Sequence, residues 1–320
     1  MRTVLVGAVE STRVALEAMA AAGHAPEALL TLPPERSRRH SDYVDLVPTA
    51  ERLGVRVIHA PDVNHPDAVA ELRRMVPDHV LVIGWSQICR DDFLSVPRRG
   101  ALGYHPSLLP RNRGRAVISW TVLQGVRETG STLFWLDQGM DSGDIAAQVR
   151  LAVAEDETAS SLYALHMDAL ARMLAELMPR LADGTAPRVA QDHSQATYCA
   201  RRTPADGLID WTRDADRVWA LIRASGDPYP GAFTFQGGER LAVWEADRVH
   251  DPRYWGLPGQ VQAMDEDGVL VQCGDGGHVR LRIVQRGGGE RVKANTALRM
   301  HEKLGMDWAA LYAPARGGAS

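Results

Sequence analysis

Apolar positions in the first part of the chain follow two kinds of pattern, and these alternate. Short runs that are mainly apolar and typical of strands occupy residues 3–8, 26–32, 55–59 and 79–84, and the last of them is apolar enough for a strand buried on both faces. Helical periodicity covers the stretches between them, at residues 14–23, 43–53 and 67–75. Strands that alternate with helices predict an α/β fold in which helices cover both faces of a parallel sheet. Functional side chains are expected beyond the carboxyl ends of such strands.

The pattern changes in the second part of the chain. Residues 158–182 keep a helical period, whereas residues 183–205 are polar and aperiodic, as is typical of a linker. Short strands are predicted further on, at residues 241–244, 260–264 and 269–273, with a DEDG hairpin turn between the last two. We therefore predict a first domain over residues 1–190, a linker over 191–205 and a small β-rich second domain, a Greek-key barrel, over 206–315.

Composition narrows the class of protein. Hydrophobic residues make up 45% and charged residues 24% of the 320 residues, which is ordinary for a globular protein. The net charge of -4 provides no general positive field, so we expect no nucleic-acid partner. No apolar run approaches the roughly eighteen residues that span a bilayer, and no signal peptide is evident. Three cysteines (Cys89, Cys199 and Cys273) lie far apart in sequence, which fits a reducing compartment. We expect a cytoplasmic protein without a membrane partner.

Two common nucleotide-binding motifs are absent from the sequence. The first turn from strand to helix reads GAVEST and has only Gly7, so it lacks the G-x-G-x-x-G of dinucleotide sites. No phosphate-binding P-loop motif occurs either. An arginine-rich stretch at residues 35–40 (ERSRRH) is interpreted as a solvated surface loop, with an anion-binding loop as the alternative.

Candidate chemistry concentrates in residues 101–144. His105 ends a strand-like segment and precedes Pro106, which predicts an imidazole at the carboxyl end of a strand. A loop with three arginines follows, and Asp141 then lies on a glycine-rich acidic loop from which it could hydrogen-bond to His105. The alternatives are a structural histidine and an acidic capping turn. Asp137, Asp141 and Asp144 lack the spacing of a calcium loop, so we expect no metal.

Several longer motifs in this sequence resemble the folate-dependent formyltransferase family. They are HPSLLPRNRGR, ETGSTLFWLDQGMDSGDI, RRTPADGLIDW and DPYPGAF, in the family's order. This family includes nucleotide-sugar N-formyltransferases, methionyl-tRNA formyltransferase and the hydrolase domain of 10-formyltetrahydrofolate dehydrogenase. The likeness is strongest to the member that modifies UDP-4-amino-4-deoxy-arabinose, through the NHP element at 64–66, RGRA at 113–116 and RRTP at 201–204.

The resemblance implies a fold, a cosubstrate and a set of site residues. The first domain would be Rossmann-like with a mostly parallel sheet that binds 10-formyltetrahydrofolate, and the second would be an OB-like domain. His105 and Asp141 match the family's catalytic pair, and Arg115 matches an arginine that helps to hold the acceptor. The folate pocket would be formed by Gly84, Trp85, Ser86, Gln87 and Ile88, together with the backbone of Leu136, Asp137, Gln138, Gly139 and Met140.

Gly103 departs from the family's pattern. Most members have asparagine at this position, two residues before the histidine, and it donates a hydrogen bond to the oxyanion of the tetrahedral intermediate. Loss of such a donor costs about a hundredfold or more in rate. Asn112, Gln87 or a protonated His105 could replace it. The hydrolase domain of the dehydrogenase also lacks this asparagine and shares the Tyr-His-Pro-Ser-Leu-Leu-Pro run.

The resemblance predicts an N-formyltransferase that uses 10-formyltetrahydrofolate, without a metal, to formylate the amine of a small molecule. An amino-sugar nucleotide or a modified amino acid is the expected acceptor. Hydrolysis of 10-formyltetrahydrofolate is the main alternative. Methionyl-tRNA formyltransferase is less favoured because lysine occurs only at Lys293 and Lys303. A folate-binding protein without activity remains a further alternative, and homo-oligomerisation is left open.

Overall fold

The computed structural model describes residues 1–39, 43–251 and 253–306. It divides into two compact units, the first formed by residues 1–121, 126–155 and 161–201. The second is formed mainly by residues from 202 onward, with the short segments 122–125 and 156–160. Part of the arginine-rich stretch, residue 40 and the side chains of 37–39, lies outside the described residues, as do residues 307–315 of the predicted second domain.

The first unit is built on a seven-stranded sheet. Its strands in chain order, with the short strands β6 and β9 that pair separately, are β1 (Thr3–Val6), β2 (Ala28–Thr31), β3 (Arg56–His59), β4 (His79–Val82), β5 (Ala101–His105), β6 (Arg113–Gly114), β7 (Glu128–Trp135), β8 (Ile145–Ala152) and β9 (Tyr198–Cys199). The spatial order of the large sheet is β3-β2-β1-β4-β5-β7-β8. The first five strands in this order are parallel to one another, and β7 is antiparallel to both of its neighbours, β5 and β8. The predicted mostly parallel α/β sheet is confirmed.

Helices connect these strands much as the periodicity predicted. They are α1 (Glu10–Ala21), α2 (Val47–Arg52), α3 (Pro66–Met75), α4 (Asp91–Leu94), α5 (Val117–Gln124) and α6 (Ala159–Asp183). The first helix begins earlier than its apolar pattern predicts, because Val9 is the N-cap residue and its amide donates to the Thr12 hydroxyl at 3.2 Å. In the described part of the chain, no helix combines the length and apolar character needed to cross a membrane.

Alternation along the strands produces two apolar cores, one on each face of the sheet. Leu5 and Leu102 pack with residues of α1 and α6, whereas Val4 and Ala101 pack with residues of α3 and α4. Successive side chains of a strand point to opposite faces. In β5, residues 101, 103 and 105 therefore share the α3/α4 face.

The second unit contains an antiparallel sheet with the order β10-β11-β14-β13-β12, to which β15 adds by pairing with β14. Its elements are α7 (Ala215–Ser225), β10 (Ala232–Gln236), β11 (Glu239–Val249), β12 (Val261–Asp265), β13 (Gly268–Gln272), β14 (His278–Arg286), β15 (Arg291–Lys293) and α8 (Ala294–Ala297). The predicted hairpin is formed by β12 and β13. Apolar residues of α7 and of the strands pack together in one core.

Candidate active site

His105 is the last residue of β5, and its side chain is buried, with 5% of the residue exposed. Its Nε2 lies 2.7 Å from the carbonyl oxygen of Asn112. A carbonyl only accepts hydrogen bonds, so Nε2 carries the proton of the neutral imidazole and Nδ1 keeps its lone pair. Asn112 has a φ of 57°, a left-handed conformation that asparagine tolerates better than most residues. The basic nitrogen of the ring is therefore Nδ1.

Asp141 faces this basic nitrogen. Its Oδ2 lies 3.7 Å from His105 Nδ1 and accepts a hydrogen bond from the Gly114 amide at 2.8 Å. The first distance is too long for a hydrogen bond but close enough to stabilise a proton held on Nδ1. The sequence predicted that Asp141 could hydrogen-bond to this histidine, a contact that would fix the ring's tautomer. In the structure the Asn112 carbonyl fixes it, because that carbonyl approaches Nε2 more closely.

The loop that carries Asp141 crosses the sheet face to reach His105. It leaves β7 at the opposite end of β5, where the Leu136 amide donates to the Ala101 carbonyl at 2.8 Å. It is held internally by Asp137 Oδ1, which accepts from the Gly139 amide at 3.0 Å and the Ser142 hydroxyl at 2.7 Å. Hydrogen bonds within the loop therefore stabilise its conformation, and Asp137 is the residue that accepts them.

Gly103 lies beneath this loop, on the same face of β5 as His105. A Cβ atom at this position would come within 2.8 Å of Leu136 Cδ2 and 3.0 Å of Phe134 Cε1. Apolar side-chain atoms therefore occupy the space that the Cβ of an asparagine at this position would need. A glycine at this position lets the loop lie close against the strand.

The two segments predicted to bind folate approach each other in the first unit. The segment after β4, residues 84–91, contains the first of them. Gln138 Nε2 of the 136–144 loop donates to Asp91 Oδ1 at the end of this segment, at 2.9 Å. Each segment exposes a large apolar side chain, Ile88 at 73% and Met140 at 57%. Exposed apolar groups on neighbouring loops are typical of a ligand-binding surface.

Within the segment after β4, the polar side chains hold the segment itself. Gln87 Oε1 accepts from the Val63 amide at 3.1 Å and from Trp85 Nε1 at 3.2 Å, while its Nε2 donates to the Pro61 carbonyl at 2.8 Å. Asn64 of the NHP element donates to the Ile88 carbonyl at 2.9 Å. Both ends of the Gln87 amide are thus engaged in holding this segment.

The three arginines of the 111–115 loop have different surroundings. Arg111 and Arg115 are exposed, and Arg115 donates to the Ser86 carbonyl at 2.6 Å, against the segment after β4. Arg113 is only 3% exposed. The sequence could not distinguish these residues, because arginine is almost always exposed and a buried one requires partners from elsewhere in the chain.

A buried polar group lies on the other face of β5. His166 Nδ1 is 2.8 Å from the Ser131 hydroxyl, which is 3.0 Å from the Tyr104 hydroxyl. His166 Nε2 has no hydrogen-bond partner among the described residues. Burial, and to a lesser extent the nearby His105, lowers the pKa of His166 from its ordinary 6.5 to about 3.

Acid should therefore destabilise the protein partly through His166. Between pH 6.5 and pH 3 the unfolded chain binds a proton at this residue and the folded chain does not, so stability present above pH 6.5 is lost as the pH falls. We expect the replacement His166→Asn, which keeps a polar atom towards Ser131, to lose less stability between pH 7.5 and 5.5 than the wild type. The difference should be about 1.4 kcal/mol by urea unfolding. His24→Asn is the control, and equal losses in the wild type and His166→Asn would contradict this assignment.

Three residues near the site were not identified from the sequence, namely Arg113, Gln191 and Thr197. The last two lie in the stretch predicted as a linker. In the structure, β9 pairs with β6 and the Thr197 carbonyl accepts from the Arg113 amide at 2.8 Å, so this stretch packs onto the 111–115 loop. No local pattern marks such residues. Across the described ranges, no three His, Cys, Asp or Glu side chains are grouped as metal ligands would be.

Three solved structures share the fold of this chain at low sequence identity. HypX from Aquifex aeolicus in complex with tetrahydrofolic acid is 18% identical with a TM-score of 0.64, covering 93% of this chain and 47% of HypX. The chain thus spans about half the length of HypX. An N-formyltransferase from Helicobacter canadensis with folinic acid and dTDP-3-aminofucose is 15% identical, with a TM-score of 0.65 and coverage of 90% and 100%. WlaRD, a sugar 3N-formyl transferase, is 14% identical, with a TM-score of 0.65 and coverage of 91% and 99%.

Two family descriptions match the sequence itself. "Formyl transferase" matches residues 33–177, and "Formyl transferase, C-terminal domain" matches residues 201–302. Together these ranges cover most of the sequence and follow one another in chain order. The chain belongs to the formyl transferase family.

Proposed function

We propose that the protein is an N-formyltransferase that moves a formyl group from 10-formyltetrahydrofolate to the amine of a small molecule. The observation that carries this proposal is the pair formed by His105 and Asp141. The basic Nδ1 of a buried imidazole faces a carboxylate at 3.7 Å, beside two loops that expose apolar side chains. A base with a fixed tautomer and a nearby balancing charge is suited to accept a proton from an attacking amine.

In the proposed mechanism, the unprotonated amine attacks the formyl carbon, and a new carbon–nitrogen bond forms. The nitrogen loses its proton to His105 Nδ1, and Asp141 stabilises the imidazolium that results. The bond from the formyl carbon to N10 of the folate then breaks, and the proton passes from His105 to the departing N10. The products are a formamide and tetrahydrofolate, and no electrons are transferred to any other group.

Folate is the proposed cosubstrate on two grounds. Ile88 and Met140 present exposed apolar surface on the two predicted folate segments, which suits a flat, partly apolar ring system. HypX and the Helicobacter canadensis enzyme, which share this fold, were solved in complex with tetrahydrofolic acid and folinic acid, respectively. We propose that residues 84–88 and the backbone of residues 136–140 bind the pterin portion.

The proposed acceptor is an amino-sugar nucleotide, with a modified amino acid as the alternative. Arg115 is exposed and lies against the Ser86 carbonyl, where its remaining N–H groups could bind an anionic acceptor. One neighbour of the same fold is described with dTDP-3-aminofucose. The overall net charge of -4 supports a small molecule over tRNA.

Hydrolysis of 10-formyltetrahydrofolate is a second candidate function, and one observation favours it. Leu136 and Phe134 fill the space beside Gly103 from which an asparagine would assist the transferase reaction. Water could then serve as the nucleophile, with His105 as its base, and the products would be formate and tetrahydrofolate.

One experiment separates these functions. The protein is incubated with 10-formyltetrahydrofolate and a panel of amino-sugar nucleotides and modified amino acids, with one reaction that has no amine. We expect tetrahydrofolate release to depend on the amine and to accompany a formylated product in the mass spectrum. Release at the same rate without any amine, together with formate, would support the hydrolase. No release under any condition would refute both.

We also propose a cytoplasmic location, which the three cysteines support because all of them are free thiols. We also propose that the antiparallel second unit is an OB-like domain, which the sequence of hairpin-connected strands supports.

A further inference from the structure

Residues 191–197, which follow α6, bond to the backbone next to the candidate catalytic pair. Gln191 is 6% exposed, and its Nε2 donates to the carbonyl oxygens of Asp141 at 2.9 Å and Gly143 at 2.7 Å. These two carbonyls belong to the part of the 136–144 loop that presents the carboxylate. Gln191 therefore holds the backbone on both sides of residue 142.

Arg113 fixes the orientation of this glutamine. One Nη of Arg113 donates to Gln191 Oε1 at 2.7 Å and to His193 Nδ1 at 3.0 Å. A guanidinium only donates, so the oxygen of the Gln191 amide must face it and the NH₂ group must face the loop. Arg113 and Gln191 thus form a directed chain of hydrogen bonds that ends on the backbone of Asp141.

The same stretch also holds the other partner of His105. The Thr197 hydroxyl accepts from the Asn112 amide at 2.8 Å and donates to Asn112 Oδ1 at 3.3 Å. The carbonyl of Asn112 is the group that bonds His105 Nε2 at 2.7 Å. Thr197 therefore fixes the residue that sets the histidine's tautomer.

Both held residues have backbones in the left-handed region. Asp141 has a φ of 51° and Asn112 a φ of 57°, and neither is glycine. Asparagine and aspartate adopt this left-handed conformation more readily than other residues with a side chain, but it is still uncommon for them. The hydrogen bonds from Gln191 and Thr197 help to hold it.

We propose that residues 191–197 are a brace for the catalytic pair, in which Gln191 positions Asp141 and Thr197 positions the Asn112 carbonyl against His105. Both are positioning residues and not catalytic ones. The effect of the brace on turnover rests on the proposed function. Its effect on the tautomer of His105 does not, and the tautomer can be measured in the protein without substrate.

The test uses two variants of the full chain. Gln191→Glu keeps an oxygen for Arg113 but replaces the donor that faces two carbonyls with an acceptor, so the 136–144 loop should move away. Thr197→Val keeps the side chain's shape and removes the bonds to Asn112. Gln195→Glu is the matched control, because Gln195 is exposed and lies in the same stretch. Thr197 lies at the surface, so Thr197→Val tests the brace even if Gln191→Glu does not fold.

Two readouts are needed. The ¹⁵N shifts of the His105 ring, assigned by their loss in His105→Gln, should indicate a single Nε2–H tautomer in the wild type and in Gln195→Glu. In Thr197→Val they should average between two tautomers. With a competent acceptor, kcat should fall about tenfold to a hundredfold in both brace variants, while KM for the formyl donor stays within about twofold.

A purely structural role would lower the melting temperature without changing the ring shifts or kcat at 25 °C, and that result would overturn the brace. Ring shifts in Thr197→Val identical to those of the wild type would also overturn it. If the wild type turns over neither an amine nor water, the proposed function fails, and the ring shifts of the same samples still decide the brace.

Discussion

Replacing His105 with alanine is expected to lower kcat for formyl transfer by about a hundredfold to ten-thousandfold, which is the usual contribution of a positioned general base. The residue is 5% exposed, and its Nε2 is held by the Asn112 carbonyl at 2.7 Å, so the ring is fixed in one orientation. KM for the formyl donor should change little, because the predicted folate segments lie on other loops. Release of tetrahydrofolate in the presence of a competent amine is the measurement.

Asp141→Asn should have a smaller effect on kcat and serves as the companion variant. Asparagine keeps an oxygen for the Gly114 amide, which Asp141 now binds at 2.8 Å, so the loop should retain its shape. It removes the negative charge that faces Nδ1 at 3.7 Å, so the imidazolium formed during transfer loses its stabilising partner. His250→Ala, at an exposed position in the second unit, is the control. Full activity in both His105→Ala and Asp141→Asn would rule out the proposed mechanism.

Introducing the family's asparagine at position 103 is expected to destabilise the protein by about 1–3 kcal/mol and to leave formyl transfer no faster. Even a Cβ at this position would meet Leu136 Cδ2 at 2.8 Å and Phe134 Cε1 at 3.0 Å. An asparagine at position 103 would have to push aside the side chains of Leu136 and Phe134. Urea unfolding and amine-dependent turnover are the measurements.

A second substitution should relieve this conflict. Leu136→Ala removes the nearer of the two contacts, so the double variant Gly103→Asn/Leu136→Ala should be more stable than Gly103→Asn alone. If its amide then reaches the oxyanion, transfer should accelerate by up to about a hundredfold over Leu136→Ala. A single Gly103→Asn variant that is both stable and faster than the wild type would show that our account of this position is wrong.

Much of the fold could be predicted from the sequence because buried positions require apolar side chains, and these recur with the period of the strand or helix. The apolar runs at residues 3–8 and 79–84 become β1 and β4, and the helical period at 158–182 becomes α6. A strand buried on both faces must be apolar throughout, and a helix packed on a sheet must be apolar on one stripe. Both requirements leave a pattern that is local in sequence.

The position of His105 at the end of a strand was also predictable, since Pro106 cannot continue a ladder of hydrogen bonds. The arrangement around its ring was not. Asp141 reaches it from a loop that begins at the opposite end of β5, where Leu136 bonds to Ala101. The loop therefore starts one strand length away from His105, and Asp141 reaches the ring only because the loop folds back over Gly103.

The sequence by itself therefore determined the α/β class, the strand that carries the histidine, and the family motifs that mark His105, Asp141 and Gly103 as the residues to test. Only the tertiary structure decided which ring nitrogen is basic, because a backbone carbonyl of Asn112 makes that choice and every residue has a carbonyl. It also decided that Arg113 is buried and that Gln191 bonds the Asp141 loop. The bonds of Gln191 to Asp141 and to Arg113 join residues 50 and 78 positions apart, and no local pattern of side chains records them.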